Sequence, residues 1–271
     1  MRIVSLNGFR IPGIRYPRTA VAEFEEHRLP STEIAYVDAP DRFLEFQEQT
    51  YENDLVGVQH ARDAWKLDRA GGLDAIMISC NGEPGVKAAR ELCDTLVMGA
   101  ACAVQHVASM LGRRFSYVIS GAEGEGEHAI IHGRETYLAA AEHYGLSGKL
   151  ASIRNVDRPP TGFNEELISE EEFLELRDLV IEEARNAVFE DGADVIIGYG
   201  GPRLHDALVE AMRPLGVPVL STGQTLLKVT EMLVQLGLSQ SKRTYPRPRQ
   251  VYDFTITAEK VDPGEGKTPG S

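Results

Sequence analysis

The chain has 271 residues and a formal net charge of −13, with 42% apolar and 25% charged residues. That length can bury a substantial core, as one large domain or two small ones. The acidic balance argues against nucleic acid or an anionic membrane as a partner, because both need a basic footprint.

No run reaches the length of a transmembrane helix. The first residues, MRIVSLNGF, lack the apolar core of a signal peptide and pass directly into a strand-like segment. Three cysteines are an odd number and too few to staple a chain this long. The expectation is a cytoplasmic protein whose thiols are reduced.

In chain order, short apolar, β-branched runs predict strands at Arg2–Leu6, Thr32–Val37, Leu73–Ser79, Leu96–Gly99, Phe115–Ser120, Ala151–Val156, Asp194–Gly198 and Val217–Leu220. Amphipathic stretches between them predict helices at Tyr51–Leu67, Gly85–Cys93, Cys102–Leu111, Arg134–Tyr144 and Glu170–Phe189, and one near Thr225–Leu236. Ser169 followed by Glu172 is a capping signal for the helix from Glu170. Alternation of this kind predicts α/β architecture with mainly parallel sheets. The stretch Asp157–Asn164 reads as a surface loop, Gly121–Glu127 as a flexible loop at a strand end, and the polar tail beyond Glu259 as loose.

Two segments look like copies of one unit. Leu73–Gly99 and Ala193–Ser221 each run strand, Gly/Pro loop, helix, strand. Six residues beyond the acid that opens each strand stand Cys80, after Asp74, and Gly200, after Asp194. The expected organisation is two similar lobes related by a pseudo-twofold: residues 1–112 with 217–250, and residues 113–216, followed by a tail at 251–271. The site would lie in the cleft between them.

Ligands of open α/β sheets bind beyond the carboxyl ends of the strands, which is where Cys80 falls. Pro84 suits a first helical turn, so the loop Cys80–Gly85 would deliver the thiol near a helix N-terminus that favours anions and thiolates. Spacing alone leaves Cys80 either a reactive thiol or a small buried hydrophobe. Cys93 and Cys102 sit in helical runs and read as packing residues. Tyr199, in the loop Gly198–Arg203, is either a cleft phenol acting as donor or weak acid, or a core side chain. Gly200 and Gly201 could present backbone N–H groups to an anion. His128 and His132 have i, i+4 spacing but no fitting carboxylate partner, so no metal is expected.

The residues Asp74–Gly85, Ala88–Leu92 and Leu111–Ser116 resemble the Asp/Glu/hydantoin racemase superfamily, the hydantoin racemase branch most closely. Gly237–Pro246 and Arg2–Asn7 are also similar to that branch, and the resemblance spreads over the chain to about Pro246. It implies two α/β lobes with the site between them, homo-oligomers, a small-molecule substrate and chemistry that needs no cofactor. It also implies two cysteines facing each other across the substrate α-carbon, one removing a proton and the other returning one. Cys80 matches the first. Backbone amides beside the cysteines and small polar side chains hold the substrate in such proteins. That makes Asn7, Asn81, Gly82, Ser120, Gly200 and Gly201 the substrate-binding candidates.

The chain departs from the pattern at the second cysteine, where it has Gly200. Relatives with one thiol exist: the arylmalonate decarboxylase type keeps the second, and the maleate isomerase type uses the first as a nucleophile. Three readings follow. The first is a cofactor-independent isomerase acting on a small carboxylate or cyclic amide through Cys80, with Tyr199 as its partner. The second is a one-thiol lyase. The third is a degenerate anion-binding protein, disfavoured because a pure binder has no need of the thiol.

Overall fold

The computed structural model describes residues 1–7, 18–38, 50–123, 130–131, 134–158, 165 and 167–252. The first half of the chain forms β1 (Arg2–Leu6), α1 (Arg18–His27), β2 (Glu33–Val37), α2 (Thr50–Ala70), β3 (Ala75–Ile78), α3 (Val86–Leu92), β4 (Leu96–Gly99) and α4 (Ala100–Leu111). The second forms β5 (Phe115–Ser120), a small antiparallel pair β6 (Ala122–Glu123) and β7 (Ile130–Ile131), then α5 (Arg134–His143), β8 (Leu150–Val156), α6 (Glu170–Phe189), β9 (Val195–Gly198), α7 (Pro202–Met212), β10 (Val219–Ser221) and α8 (Thr222–Gln235).

The strands form two four-stranded parallel sheets, ordered β2-β1-β3-β4 and β8-β5-β9-β10. Each position in one sheet has a counterpart in the other, and each helix follows the corresponding strand. The match extends to side chains. Asp74 accepts a hydrogen bond from the Arg2 backbone N–H at 2.7 Å, and Asp194 accepts one from that of Arg114 at 2.9 Å. The same two acids donate their own N–H groups back to the carbonyls of Arg2 and Arg114. Each acid thereby sets the register of its strand against the strand beside it.

Both sheets are covered on both faces, as parallel sheets require. Alternate residues divide between layers. In the first sheet Ile3, Ala75 and Met77 face inward, with Leu226 and Leu227 of α8 and Ala100 and Ala103 of α4. Val4, Leu6, Ile76 and Ile78 face outward onto α2 and α3. In the second, Phe115, Tyr117, Val195 and Ile197 meet Val104 and Ala108 of α4, while Val118 and Ile196 meet α6 and α7. The long helix α6 starts at a full capping box: the Ser169 hydroxyl accepts from Glu172 N–H, and the Glu172 carboxylate accepts from Ser169 N–H.

One expectation changes. The segment from Val217 does not return at once to the first half, because β10 hydrogen-bonds to β9 and completes the second sheet. The crossing comes at Ser221/Thr222, and α8 then packs on α1, α4, β3 and β4. Beyond α8 the chain lies along the edge of β4. The Gln240 side chain accepts from Val97 N–H and donates to the carbonyls of Cys93 and Thr95. Lys242 donates to the last carbonyls of α3, including Arg90 O at 2.6 Å, which suits a cation at a helix C-terminus. Arg90 holds Tyr245 by a hydrogen bond and by stacking over its ring.

His128, His132, most of the expected loops Gly121–Glu127 and Asp157–Asn164, and the tail beyond Tyr252 lie outside the described residues. Among the described residues no helix is long and apolar enough to cross a membrane, and no three His, Cys, Asp or Glu side chains are grouped to hold a metal ion.

Candidate active site

The carboxyl ends of β1 and β3 place Asn7 and the Ser79–Gly82 segment side by side, since Leu6 is paired with Ile78. Cys80 is half-buried two residues past β3. Its loop is held from three directions. The Cys80 carbonyl accepts from Glu83 N–H at 3.0 Å. Ser79 Oγ lies 2.6 Å from Ser5 Oγ on β1. His60, on α2 and only 2% exposed, lies with Nδ1 3.1 Å from the Pro84 carbonyl oxygen. Burial holds the His60 imidazole below its ordinary value, so it is neutral and structural at pH 7.

The helix after the thiol starts later than the sequence suggests. Pro84 lies outside α3, Gly85 is its N-cap, and the helix has seven residues from Val86. The thiol therefore stands at a strand end, not in a helical first turn. The physical reason is the loop's own turn, in which Glu83 N–H and Val86 N–H bond backward before helical pairing begins.

Asn81 is 9% exposed. Its Nδ2 lies 3.5 Å from Thr222 Oγ1 at the start of α8, and its Oδ1 has no hydrogen-bond partner among the described residues. A buried amide acceptor left open is costly and invites a ligand donor or water. A Cβ on Gly82 would fall 2.9 Å from Asn53 Oδ1 of α2 and 3.5 Å from the Thr136 side chain of α5.

The second half contributes a residue the sequence did not single out. Tyr137 of α5 is 7% exposed and stacks edge-on with Tyr117, ring centroids 4.8 Å apart. Burial pushes its phenol well above the ordinary range; neighbouring charge on Tyr199, Cys80 or Tyr117 pushes it further, and a hydrogen bond with Asn81 opposes this. Charge on Cys80 of one half and on Tyr199 of the other thus both act on this phenol, Asn81 hydrogen-bonds it, and it stays protonated at neutral pH. In sequence Tyr137 reads as one of the apolar residues on the buried face of α5, with Ala140 and Ala141.

The remaining expected residues are less closely grouped. Tyr199 packs partly among apolar side chains of both layers of the second sheet. Asn7 donates from Nδ2 to Asp38 at 2.9 Å, beyond β2. Ser120 ends β5, buried, and its carbonyl accepts from Asn155.

Gly200 has φ +119°, a conformation that L side chains rarely adopt, and a Cβ there would lie 2.6 Å from Leu204 Cδ2. Gly200 stands two residues beyond β9, as Cys80 stands two residues beyond β3. Gly201 is the N-cap of α7. The amides of that helix end are already engaged: the Glu165 carboxylate accepts from Leu204 N–H at 2.9 Å and also from Arg203 N–H. Glu165 thus occupies the amides of Arg203 and Leu204 and not those of Gly200 and Gly201.

The other two cysteines differ. Cys93 is fully buried, and burial pushes its thiol up to about 12, so it is unreactive. Cys102 is half-exposed in the first turn of α4, Sγ 4.0 Å from His106 Nδ1.

Two four-stranded sheets of matching strand order, with Cys80 past a strand end of one and Tyr199 past a strand end of the other, can be compared with known proteins. The family model described as Asp/Glu/hydantoin racemase matches residues 13–230. The hydantoin racemase of Pseudomonas sp. (strain NS671) is 28% identical over 204 residues, 74% of this chain and 75% of that protein. The solved structure of allantoin racemase from Klebsiella pneumoniae superposes with a TM-score of 0.76 at 25% identity, covering 94% of this chain and 96% of that one. A structure of arylmalonate decarboxylase shares the fold, with a TM-score of 0.54 at 16% identity over 88% of this chain and 94% of that one. This chain belongs to the Asp/Glu/hydantoin racemase family, a superfamily of enzymes.

Proposed function

We propose that the protein is a cofactor-independent isomerase of the racemase or epimerase type. Its substrate is a small carboxylate or cyclic amide, and ring ureides of the hydantoin and allantoin kind are the first class to try. The observation that carries this reading is a buried phenol, Tyr137, hydrogen-bonded to Asn81 of the Cys80 loop and acted on by charge on Cys80 and Tyr199.

In the proposed step the Cys80 thiolate takes the proton from the substrate α-carbon and becomes a thiol. The electron pair left on carbon delocalises onto the adjacent carbonyl, whose oxygen is stabilised by the Asn81 amide and the backbone N–H groups of the Cys80–Gly82 loop. A hydroxyl of Tyr137 or Tyr199 returns a proton to the opposite face and becomes a phenolate; the phenolate then regains a proton from solvent and the Cys80 thiol releases one to it, which resets the enzyme.

One observation favours a second reading, a one-thiol lyase. Gly200 stands two residues beyond its strand, as Cys80 does, but brings no thiol, and a phenol whose pKa burial raises, as at Tyr137, is so rarely ionised at neutral pH that it is a poor base for the reverse direction. A decarboxylation needs only the stabilised anion and one donor.

Incubation of single enantiomers of 5-substituted hydantoins in D2O separates the two. Deuterium at the α-carbon with loss of optical rotation is the isomerase result. Release of carbon dioxide from an α-carboxylated analogue, with one enantiomer formed, is the lyase result. Neither exchange nor fragment loss across both substrate classes leaves only a binder and sinks the proposal.

A further inference from the structure

Glu83 lies three residues after Cys80 in the same loop, and the proton chemistry above does not use it. It is the only residue other than glycine with positive φ among the described residues, at 50°. Its carboxylate is turned into the protein with both oxygens engaged. Oε1 accepts from Cys102 N–H at 2.6 Å, in the first turn of α4, and Oε2 accepts from the Tyr144 hydroxyl. The N-cap of α4, Gly99, provides no side-chain cap, and a Cβ on Gly99 would fall 2.1 Å from Glu83 Oε1. The carboxylate therefore fills a space kept open for it and caps a helix from outside. A strained backbone held by surrounding contacts is where a structure fixes a geometry it needs.

Tyr144 gives this contact its meaning. It follows α5 directly, with its N–H bonded to the Ala140 carbonyl, and so lies two helical turns beyond Tyr137 on the same helix. The Glu83–Tyr144 bond joins the loop bearing the thiol to the helix bearing the phenol, and spans the two halves of the molecule. We propose that Glu83 is a positioning residue: through Tyr144 it sets the placement of Cys80 against Tyr137 across the cleft. The proposal rests on Cys80 being the reacting thiol.

The test uses Glu83→Gln, Tyr144→Phe and the double variant of the full chain. Tyr144→Phe keeps the ring that stacks on His106 and His143, so it preserves the packing if Glu83→Gln folds poorly. Two readouts are taken, turnover of a chiral hydantoin per folded molecule and the rate of iodoacetamide labelling at Cys80 by peptide mapping. Each single variant is expected to lower kcat at least tenfold with KM within about threefold, and to change the Cys80 labelling rate at least fivefold. The double variant is expected to be no worse than the poorer single, because both remove one bond. A loss confined to melting temperature, with labelling rate and kcat per folded molecule unchanged, overturns the proposal. A Cys80→Ser protein that still turns over overturns the thiol reading instead, so the two failures are distinguishable.

Discussion

The turn after β3 and the turn after β9 begin at the same register and end differently. Each strand opens with an acid clamped to the strand beside it, Asp74 to Arg2 and Asp194 to Arg114. In the first turn α3 starts twelve residues after the acid, at Val86; in the second α7 starts eight after it, at Pro202. The extra four residues make room for Cys80 and its loop, and carry Glu83 away to another helix. The shorter turn brings a helix end against Gly200 and closes that end with Glu165. On the proposed reading the two matching units divide the work: one turn presents the reacting thiol, the other closes a helix tightly.

Replacing the reactive group tests that division most strongly. Cys80→Ser is expected to fold and to lose 10²–10⁴-fold in turnover, the usual worth of a positioned acid or base. Retention of more than about a tenth of wild-type rate would falsify the assignment.

The second turn is sensitive in another way. Gly200→Ala is expected to destabilise by about 1–3 kcal/mol in urea unfolding, from its positive φ and the contact with Leu204. Cys80→Ala, at the matching place, should cost clearly less. Equal costs would mean that the two turns do not differ as described. Making Leu204→Ala first relieves the contact and leaves the backbone part, so the two contributions can be measured separately.

A smaller effect is expected at the helix end. Glu165→Ala removes the acceptor for Arg203 and Leu204 N–H and should cost about 1 kcal/mol, as the loss of a cap does. Turnover should change little, since the reacting groups sit elsewhere; a large loss of turnover with unchanged stability would put Glu165 in the chemistry.

The smallest effect is a pH slope. The His60 pKa is depressed by burial, so the folded state resists a proton that the unfolded chain accepts near 6.5. Its stabilising contribution is complete above that value and is lost as pH falls below it, with a slope of at most about 1.4 kcal/mol per pH unit. The stability curve of His60→Leu between pH 7 and 5 should be flatter than that of wild type. Parallel curves would remove the titration of His60 from the account of the Cys80 loop.

How much of this was readable from the chain depends on how local the cause is. Strands β1, β4 and β5 and helix α6 stand at the bounds their apolar runs and the Ser169 cap indicate, because those signals lie within the segments themselves. Cys80 and Asn81 were visible through the repeat and the family resemblance. Tyr137 was not, because on a helix a buried phenol and a core residue present the same spacing. Nor was Glu83, since its partners Cys102 and Tyr144 are 19 and 61 positions away. Nothing near Gly201 in sequence announces that Glu165 closes the helix end beside it. The place of β10 was misjudged for a similar reason: a three-residue apolar strand fits the edge of either sheet, and only pairing decides.

The placement of α8 also bears on how the chain is made. Leu226 and Leu227 complete the inner layer of the first sheet, and Gln240 closes the β4 edge from 143 positions downstream of Val97. During synthesis, the first half emerges with that layer open and that edge bare, and keeps both until the residues through Gln240 have left the ribosome. The half that carries the thiol is thus begun first and finished last. Its open face and unpaired edge make a truncated nascent chain prone to aggregate, and folding of the whole waits on contacts of long sequence separation.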